Sequence, residues 1–147
     1  MLKKLVIAAF LLTLVFPVMA SQPAIKAAKK SNAPTFVVYY FYAQPRCMTC
    51  RAIEADTGKA VQKHFAAELK SGAIQWQAVD VGKPENKHFI KEFQLYTKSV
   101  VLVELQNGKT VRHEILQKVW ELIHSPEKFD KYIQKSVEDF IMKGLGK

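Results

Sequence analysis

Apolar residues along the chain fall into blocks that predict alternating strands and helices. Residues 35–43 read Thr-Phe-Val-Val-Tyr-Tyr-Phe-Tyr-Ala, a β-branched and aromatic run typical of a strand buried on both faces of a sheet. From Cys47 to Leu69 the apolar spacing becomes helical, and Gly58 within this segment predicts a kink or an interruption. Residues 74–81 alternate between apolar and polar positions and predict a second strand.

The second half of the chain predicts an antiparallel hairpin followed by a long helix. Pro84 is well placed to open a short helix, and residues 99–105 read as a third strand. Asn107-Gly108 is a strong signal for a two-residue hairpin turn, which would join this strand to a fourth over residues 110–116. Ser125-Pro126 predicts the start of a helix, with the serine hydroxyl as its cap. An amphipathic stripe follows at helical spacing: Phe129, Ile133, Val137, Phe140 and Ile141.

This order of elements predicts one α/β domain. The first half makes a right-handed parallel crossover and the second adds the hairpin, so a mixed four-stranded sheet with helices on both faces accommodates both. The chain has 147 residues, of which 49% are hydrophobic, and can therefore build a core without disulfide stapling. We expect the domain to span residues 35–147.

The first twenty residues predict a secretory signal peptide. A short basic start precedes the apolar run 5–16, and Ala20 offers a small residue at the cleavage site. The alternative, a membrane anchor, is weaker because the run is shorter than the ~20 residues that a span needs. Residues 21–34 are small and polar and predict a flexible leader. We therefore expect an exported protein, periplasmic or extracellular, with no stable membrane insertion after cleavage.

The charge of the chain does not by itself indicate a partner. The net charge is +9, and residues 1–20 hold two of the 22 basic residues and none of the 13 acidic ones, so the mature chain carries +7. The lysines are scattered, and no block of five or more like charges occurs. We expect a soluble, cationic monomer that binds no nucleic acid.

The candidate chemistry lies in Cys47-Met48-Thr49-Cys50, which contains the only cysteines of the chain. Two thiols three positions apart on the first turn of a helix are close enough to form a disulfide. At the helix N-terminus the thiolate of Cys47 is favoured, and the neighbouring charges of Arg46 and Arg51 act in the same direction. Such a pair suits thiol–disulfide exchange, whereas a static bridge over so small a loop would be a poor staple.

Metal and haem sites are not expected. Two cysteines are too few for a zinc site, and the position that a haem-attachment motif gives to histidine holds Arg51. The four histidines show no ligand spacing: His64, His88, His113 and His124.

The Cys-x-x-Cys pair directly after the first buried strand, the strand ending at residues 79–81 and the Asn-Gly hairpin downstream resemble the thioredoxin superfamily. The resemblance covers roughly residues 35–141. It implies a thioredoxin-like fold that requires no cofactor. The expected partners are proteins with thiols or disulfides, and a further redox protein. The resemblance also implies that Cys47 is the attacking thiol and Cys50 the resolving thiol.

The same resemblance implies further site residues and shows three departures. Met48 and Thr49, between the cysteines, would tune the reduction potential. Arg46 stands where the superfamily usually has tryptophan, and Tyr40 or Phe41 where it often has a buried acid.

The third departure concerns a cis-proline that borders the substrate groove in the superfamily. Ser99 or Val100 occupies that position here. The departures leave open an alternative, a non-catalytic binding module or redox sensor with a fixed Cys47–Cys50 bridge.

Overall fold

A computed structural model describes residues 33–146, so the predicted signal peptide (1–20) and nearly all of the predicted leader (21–34) lie outside the described residues. None of the helices in the described range is long and apolar enough to cross a bilayer. The strands are β1 (Thr35–Tyr42), β2 (Ile74–Asp80), β3 (Ser99–Gln106) and β4 (Lys109–Ile115). The helices are α1 (Met48–His64), α2 (Ala66–Ser71), α3 (His88–Glu92), α4 (Val119–Leu122) and α5 (Pro126–Gly144).

The four strands form one mixed sheet in the order β2-β1-β3-β4. β1 pairs in parallel with β2 and antiparallel with β3, and β3 pairs antiparallel with β4. The turn between β3 and β4 places Asn107 and Gly108 at φ 53° and 77°, the left-handed conformations that a two-residue hairpin requires. The predicted α/β class and mixed four-stranded sheet are confirmed.

Helices cover both faces of the sheet. Alternate residues of β1 point to opposite faces, as in any strand. Phe36, Val38 and Tyr40 belong to a core that also contains buried residues of α1 and α5. Val37 and Phe41 pack in a second core with Phe93, which follows α3. Because β1 is buried on both faces, its sequence is continuously apolar rather than alternating.

Two local predictions were wrong. Gly58 neither kinks nor interrupts α1; it lies buried within the helix, and a Cβ there would approach Nε1 of Trp76 to 3.1 Å. The glycine makes room for the indole ring, and α1 ends instead at His64, with Phe65 as its C-cap residue. Ser125 occupies the N-cap position of α5, but its hydroxyl makes no capping hydrogen bond in the described structure.

Candidate active site

The two cysteines lie at the junction between β1 and α1. Pro45 lacks the N–H that would continue the ladder of β1, and the chain then enters α1 with Cys47 as N-cap residue in extended conformation. A disulfide joins Cys47 to Cys50, with their Cα atoms 5.1 Å apart. Cys47 is exposed, whereas Cys50 is only 1% exposed. A partner molecule can therefore reach one sulfur of the pair and not the other.

The backbone at the start of α1 favours negative charge on Cys47. The N–H of Cys50 donates a hydrogen bond to Sγ of Cys47 at 3.1 Å. The helix is 17 residues long, and its first turn, which lies within the described part of the chain, contains no acidic residue. The partial positive charge of the helix N-terminus thus acts on the Cys47 sulfur without an opposing carboxylate in that turn.

Arg46, predicted to tune the pair, is itself paired. Its guanidinium contacts the carboxylate of Glu54 and lies over the ring of Tyr42, 4.2 Å from the centroid. The Arg46 side chain is only 16% exposed. Glu54 offsets part of the positive charge that Arg46 brings to the cysteines.

The other residues predicted to tune the cysteines surround them. Met48 lies next to Cys47 with 89% of its surface exposed, and Thr49 is partly buried. The side chain of Arg51 is exposed, so its charge is more strongly screened by water than that of Arg46.

A further polar group, the hydroxyl of Tyr40, lies beneath the pair. It donates a 2.7 Å hydrogen bond to the carbonyl oxygen of Cys50, and the Tyr40 side chain is fully buried. Burial raises the pKa of this phenol above its ordinary value, while the charge of Arg46 acts in the opposite direction. Sequence reasoning treated Tyr40 as a core residue; a hydroxyl on the face of β1 that meets α1 was the only signal for this contact.

The two residues predicted for a substrate groove lie at the start of β3. Ser99 and Val100 pair with Phe41 and Tyr40 of β1 and are 7% and 0% exposed. The Ser99 hydroxyl donates to the carbonyl of Thr97. The side chain of Val100 belongs to the core and offers no surface to a partner.

An open cavity of about 270 Å³ lies beside the start of β3. Its lining runs from the end of β1 to the segment before β3 and includes the exposed Tyr96: Phe41, Tyr42, Ala43, Val81, Ile90, Leu95, Tyr96, Thr97 and Lys98. A larger cavity of about 620 Å³ lies between the second half of α1 and the start of α5, away from the cysteines. Between residues 33 and 146, no three His, Cys, Asp or Glu side chains come together to hold a metal ion.

No protein-family model and no curated protein sequence matches the chain. Its structure is similar to those of solved thioredoxins. Mitochondrial thioredoxin 3 of Saccharomyces cerevisiae, in the oxidised form, shares 20% sequence identity at a TM-score of 0.41, over 72% of this chain and 81% of that one. Thioredoxin f2 of Chlamydomonas reinhardtii shares 20% sequence identity at a TM-score of 0.41, over 66% of this chain and 85% of that one. Thioredoxin pre-protein of Schistosoma mansoni, in the reduced form, shares 21% sequence identity at a TM-score of 0.38, over 65% of this chain and 79% of that one.

Features of this chain itself define its fold. The strand order is β2-β1-β3-β4, with the first two strands parallel and the last two joined by a hairpin. A disulfide-forming Cys-x-x-Cys pair stands at the junction of β1 and α1 and supports a thiol–disulfide redox role. With this topology and the cysteine pair at this position, the chain has a thioredoxin-like fold.

Proposed function

We propose that the protein is an exported thiol–disulfide oxidoreductase that exchanges disulfides with partner proteins through Cys47 and Cys50. The supporting observation is the asymmetry of the pair. Cys47 is exposed at a helix N-terminus, and Cys50 is buried one turn behind it. Exchange requires one accessible sulfur that receives the partner and a second sulfur that is protected until it is needed.

The proposed cycle transfers two electrons. A partner thiolate attacks Sγ of Cys47, the Cys47–Cys50 bond breaks, and Cys50 leaves as a thiolate that takes up a proton. A second partner thiolate then attacks the partner sulfur of the mixed disulfide and releases Cys47 as a thiolate. The partner gains a disulfide and the chain becomes a dithiol. The reverse sequence reduces a partner disulfide, and a separate dithiol or disulfide protein restores the starting state.

Export is part of the proposal and rests on the sequence of residues 1–20. A basic start, an apolar run and a small residue at the expected cleavage position support it. An oxidising compartment outside the cytosol allows the Cys47–Cys50 bridge to persist between turnovers. Amino-terminal sequencing of the protein recovered from the periplasm or medium tests this part; a start at Ser21 supports it, and an intact Met1 in the cytosol contradicts it.

Turnover of insulin disulfides, with single cysteine variants, tests the exchange itself. Cys47→Ser is expected to reduce turnover to background because the accessible sulfur is lost. Cys50→Ser is expected to stop turnover as well, but to accumulate a mixed disulfide on Cys47, since nothing resolves it. The two variants control for each other because both remove the bridge. Turnover that survives Cys47→Ser refutes the proposal.

A second candidate, a non-catalytic binding module with a fixed bridge, is favoured by two departures from the superfamily. The position of the superfamily's buried acid holds Tyr40 or Phe41, and the position of its cis-proline holds Ser99 or Val100. A bridge that strong dithiols fail to reduce, or one that reduces without exchange onto any protein, supports this candidate over the first.

A further inference from the structure

The hydrogen bond between Tyr40 and Cys50 connects the sheet directly to the buried cysteine. The Tyr40 hydroxyl lies 2.7 Å from the Cys50 carbonyl oxygen, across ten residues of chain. Among the buried hydrophobic residues that β1, α1 and α5 contribute to their shared core, as far as the structure describes them, Tyr40 alone carries a hydroxyl group. Phenylalanine would fill the same volume, so packing does not require the hydroxyl.

When the disulfide opens, negative charge forms at the buried Cys50. When a partner attacks the exposed Cys47, the sulfur that leaves is that of Cys50, which is 1% exposed. A thiolate formed away from water is costly unless nearby dipoles stabilise it. The N–H of Cys50 already points at the Cys47 sulfur, and the favourable field of the helix terminus falls off within its first turn.

The Tyr40 hydroxyl supplies a dipole of the required sign. Its hydrogen is donated to the Cys50 carbonyl oxygen and offsets part of the negative charge on that oxygen. That negative charge would otherwise oppose a thiolate on the same residue. A phenol is protonated at neutral pH, and burial raises the pKa of Tyr40 further above its ordinary value. The dipole is therefore present at neutral pH.

We propose that Tyr40 is a positioning residue for the resolving cysteine: its hydroxyl fixes the turn of α1 that carries Cys50 and stabilises the thiolate that forms when the disulfide opens. This inference rests on the proposed exchange at Cys47 and Cys50. It adds to that function a residue of the sheet, outside the Cys-x-x-Cys motif, that sets the rate of the resolving step.

Glutathione exchange of the purified mature protein provides the test. Two rates are measured against pH by stopped flow: the opening of the disulfide by reduced glutathione, and the displacement of glutathione from Cys47 by Cys50. Tyr40→Phe is expected to slow opening about fivefold, the factor that corresponds to roughly 1 kcal/mol for one hydrogen bond. It is also expected to move the pH midpoint of the displacement step upward.

Tyr39→Phe is the matched control. It removes a phenol hydroxyl from the neighbouring residue of β1, whose side chain packs on the opposite face of the sheet. Both rates are expected to stay at their wild-type values in this variant. A second probe, 3-fluorotyrosine at position 40, keeps the hydroxyl but makes it a stronger donor, and is expected to speed opening.

The outcomes separate this inference from the proposed function. If glutathione fails to open the wild-type disulfide, the proposed function fails first. If the wild type opens and Tyr40→Phe changes only the melting temperature, the hydroxyl is merely structural and the inference is overturned. Equal effects of Tyr39→Phe and Tyr40→Phe, or slower opening with 3-fluorotyrosine, also overturn it.

Discussion

Two arginines, one at each end of the sheet, lie over an aromatic ring and pair with a carboxylate, yet they hold different parts of the molecule together. Arg46, beside the cysteines, covers Tyr42 and contacts Glu54. All three belong to one continuous stretch of chain that surrounds the Cys-x-x-Cys turn. This pair closes a local loop and brings a compensated charge to the cysteines.

The second arginine joins the two hairpin strands β3 and β4 to α5, in which its partner Phe140 lies 28 residues further along the chain. Arg112 of β4 lies 2.8 Å from the carboxylate of Glu104 in β3 and 3.8 Å from the ring centroid of Phe140. It also donates a hydrogen bond to the Phe140 carbonyl of α5. At Gly144 a Cβ would stand 2.6 Å from both Arg112 and Glu104, so the glycine allows α5 to approach the pair.

The same chemistry therefore serves two purposes. Loss of the local pair frees one loop and alters the charge near Cys47. Loss of Arg112 leaves the Glu104 carboxylate unpaired in the interior and removes the hydrogen bond that attaches the end of α5 to the sheet. Stability should depend mainly on Arg112, and the reactivity of Cys47 on Arg46.

Arg112→Met is expected to have the largest effect. The Glu104 side chain is only 11% exposed, and removal of its partner leaves an uncompensated charge there. Breaking a buried pair in this way costs on the order of 3 kcal/mol, which urea unfolding will show as a lower midpoint. The glutathione exchange rate of the folded protein should remain unchanged because the cysteines lie at the other end of the sheet.

The double variant Arg112→Met, Glu104→Gln is the control for this prediction. Without the buried charge, at least half of the lost free energy of unfolding should return. A loss below about 1 kcal/mol in the single variant would place the pair among ordinary surface ion pairs and erase the contrast between the two ends.

The local pair can be tested from both of its sides. Arg46→Met removes the positive charge, and Glu54→Gln removes the negative charge that compensates it. The pH midpoint for alkylation of Cys47 in the reduced protein should rise in the first variant and fall in the second. An interaction of ~0.7 kcal/mol, typical of unit charges about 6 Å apart in water, changes the rate about threefold on the rising part of the profile.

Shifts of the same sign in both variants would contradict this electrostatic account. Each variant should also change the free energy of unfolding by less than Arg112→Met does. If Arg46→Met destabilises the fold as strongly, the two pairs do not differ in the way proposed here.

Local patterns were enough to predict most of the fold. The left-handed turn at Asn107-Gly108, the apolar stripe of α5 and the start of α1 at the cysteines each depend on residues within a few positions of one another. Gly58 misled because its reason for being small is the indole of Trp76, eighteen residues later in the neighbouring strand. Sequence spacing carries no information on such a contact.

The site was predictable in part for the same reason. The positions of Cys47 and Cys50 follow from a short motif between two clear elements. The direction of the Arg46 side chain, toward Glu54, and the reach of the Tyr40 hydroxyl depend on how α1 packs on β1. The sequence shows that an arginine and a tyrosine are near the motif, but not what they touch.

The smallest effect is expected at a third ion pair, which links α1 to α5 at the surface. Hydrogen bonds from Lys63 and His64, both 2.9 Å from the carboxylate, hold the pKa of Asp130 below its ordinary value of 3.8. The stability that this adds is present above that pH and is lost as the pH falls below it, when the native carboxylate takes up a proton. Asp130→Asn should therefore lower the free energy of unfolding by less than about 1 kcal/mol near pH 6, since the pair is solvated, and by less near pH 2 than near pH 6. Urea unfolding at the two pH values checks this, with Asp139→Asn, whose partner Lys135 lies on the same helix, as the control. If Asp130→Asn lowers the free energy of unfolding as much near pH 2 as near pH 6, Asp130 acts through packing rather than charge. A loss larger than that caused by Arg112→Met would reverse the expected order of the three pairs.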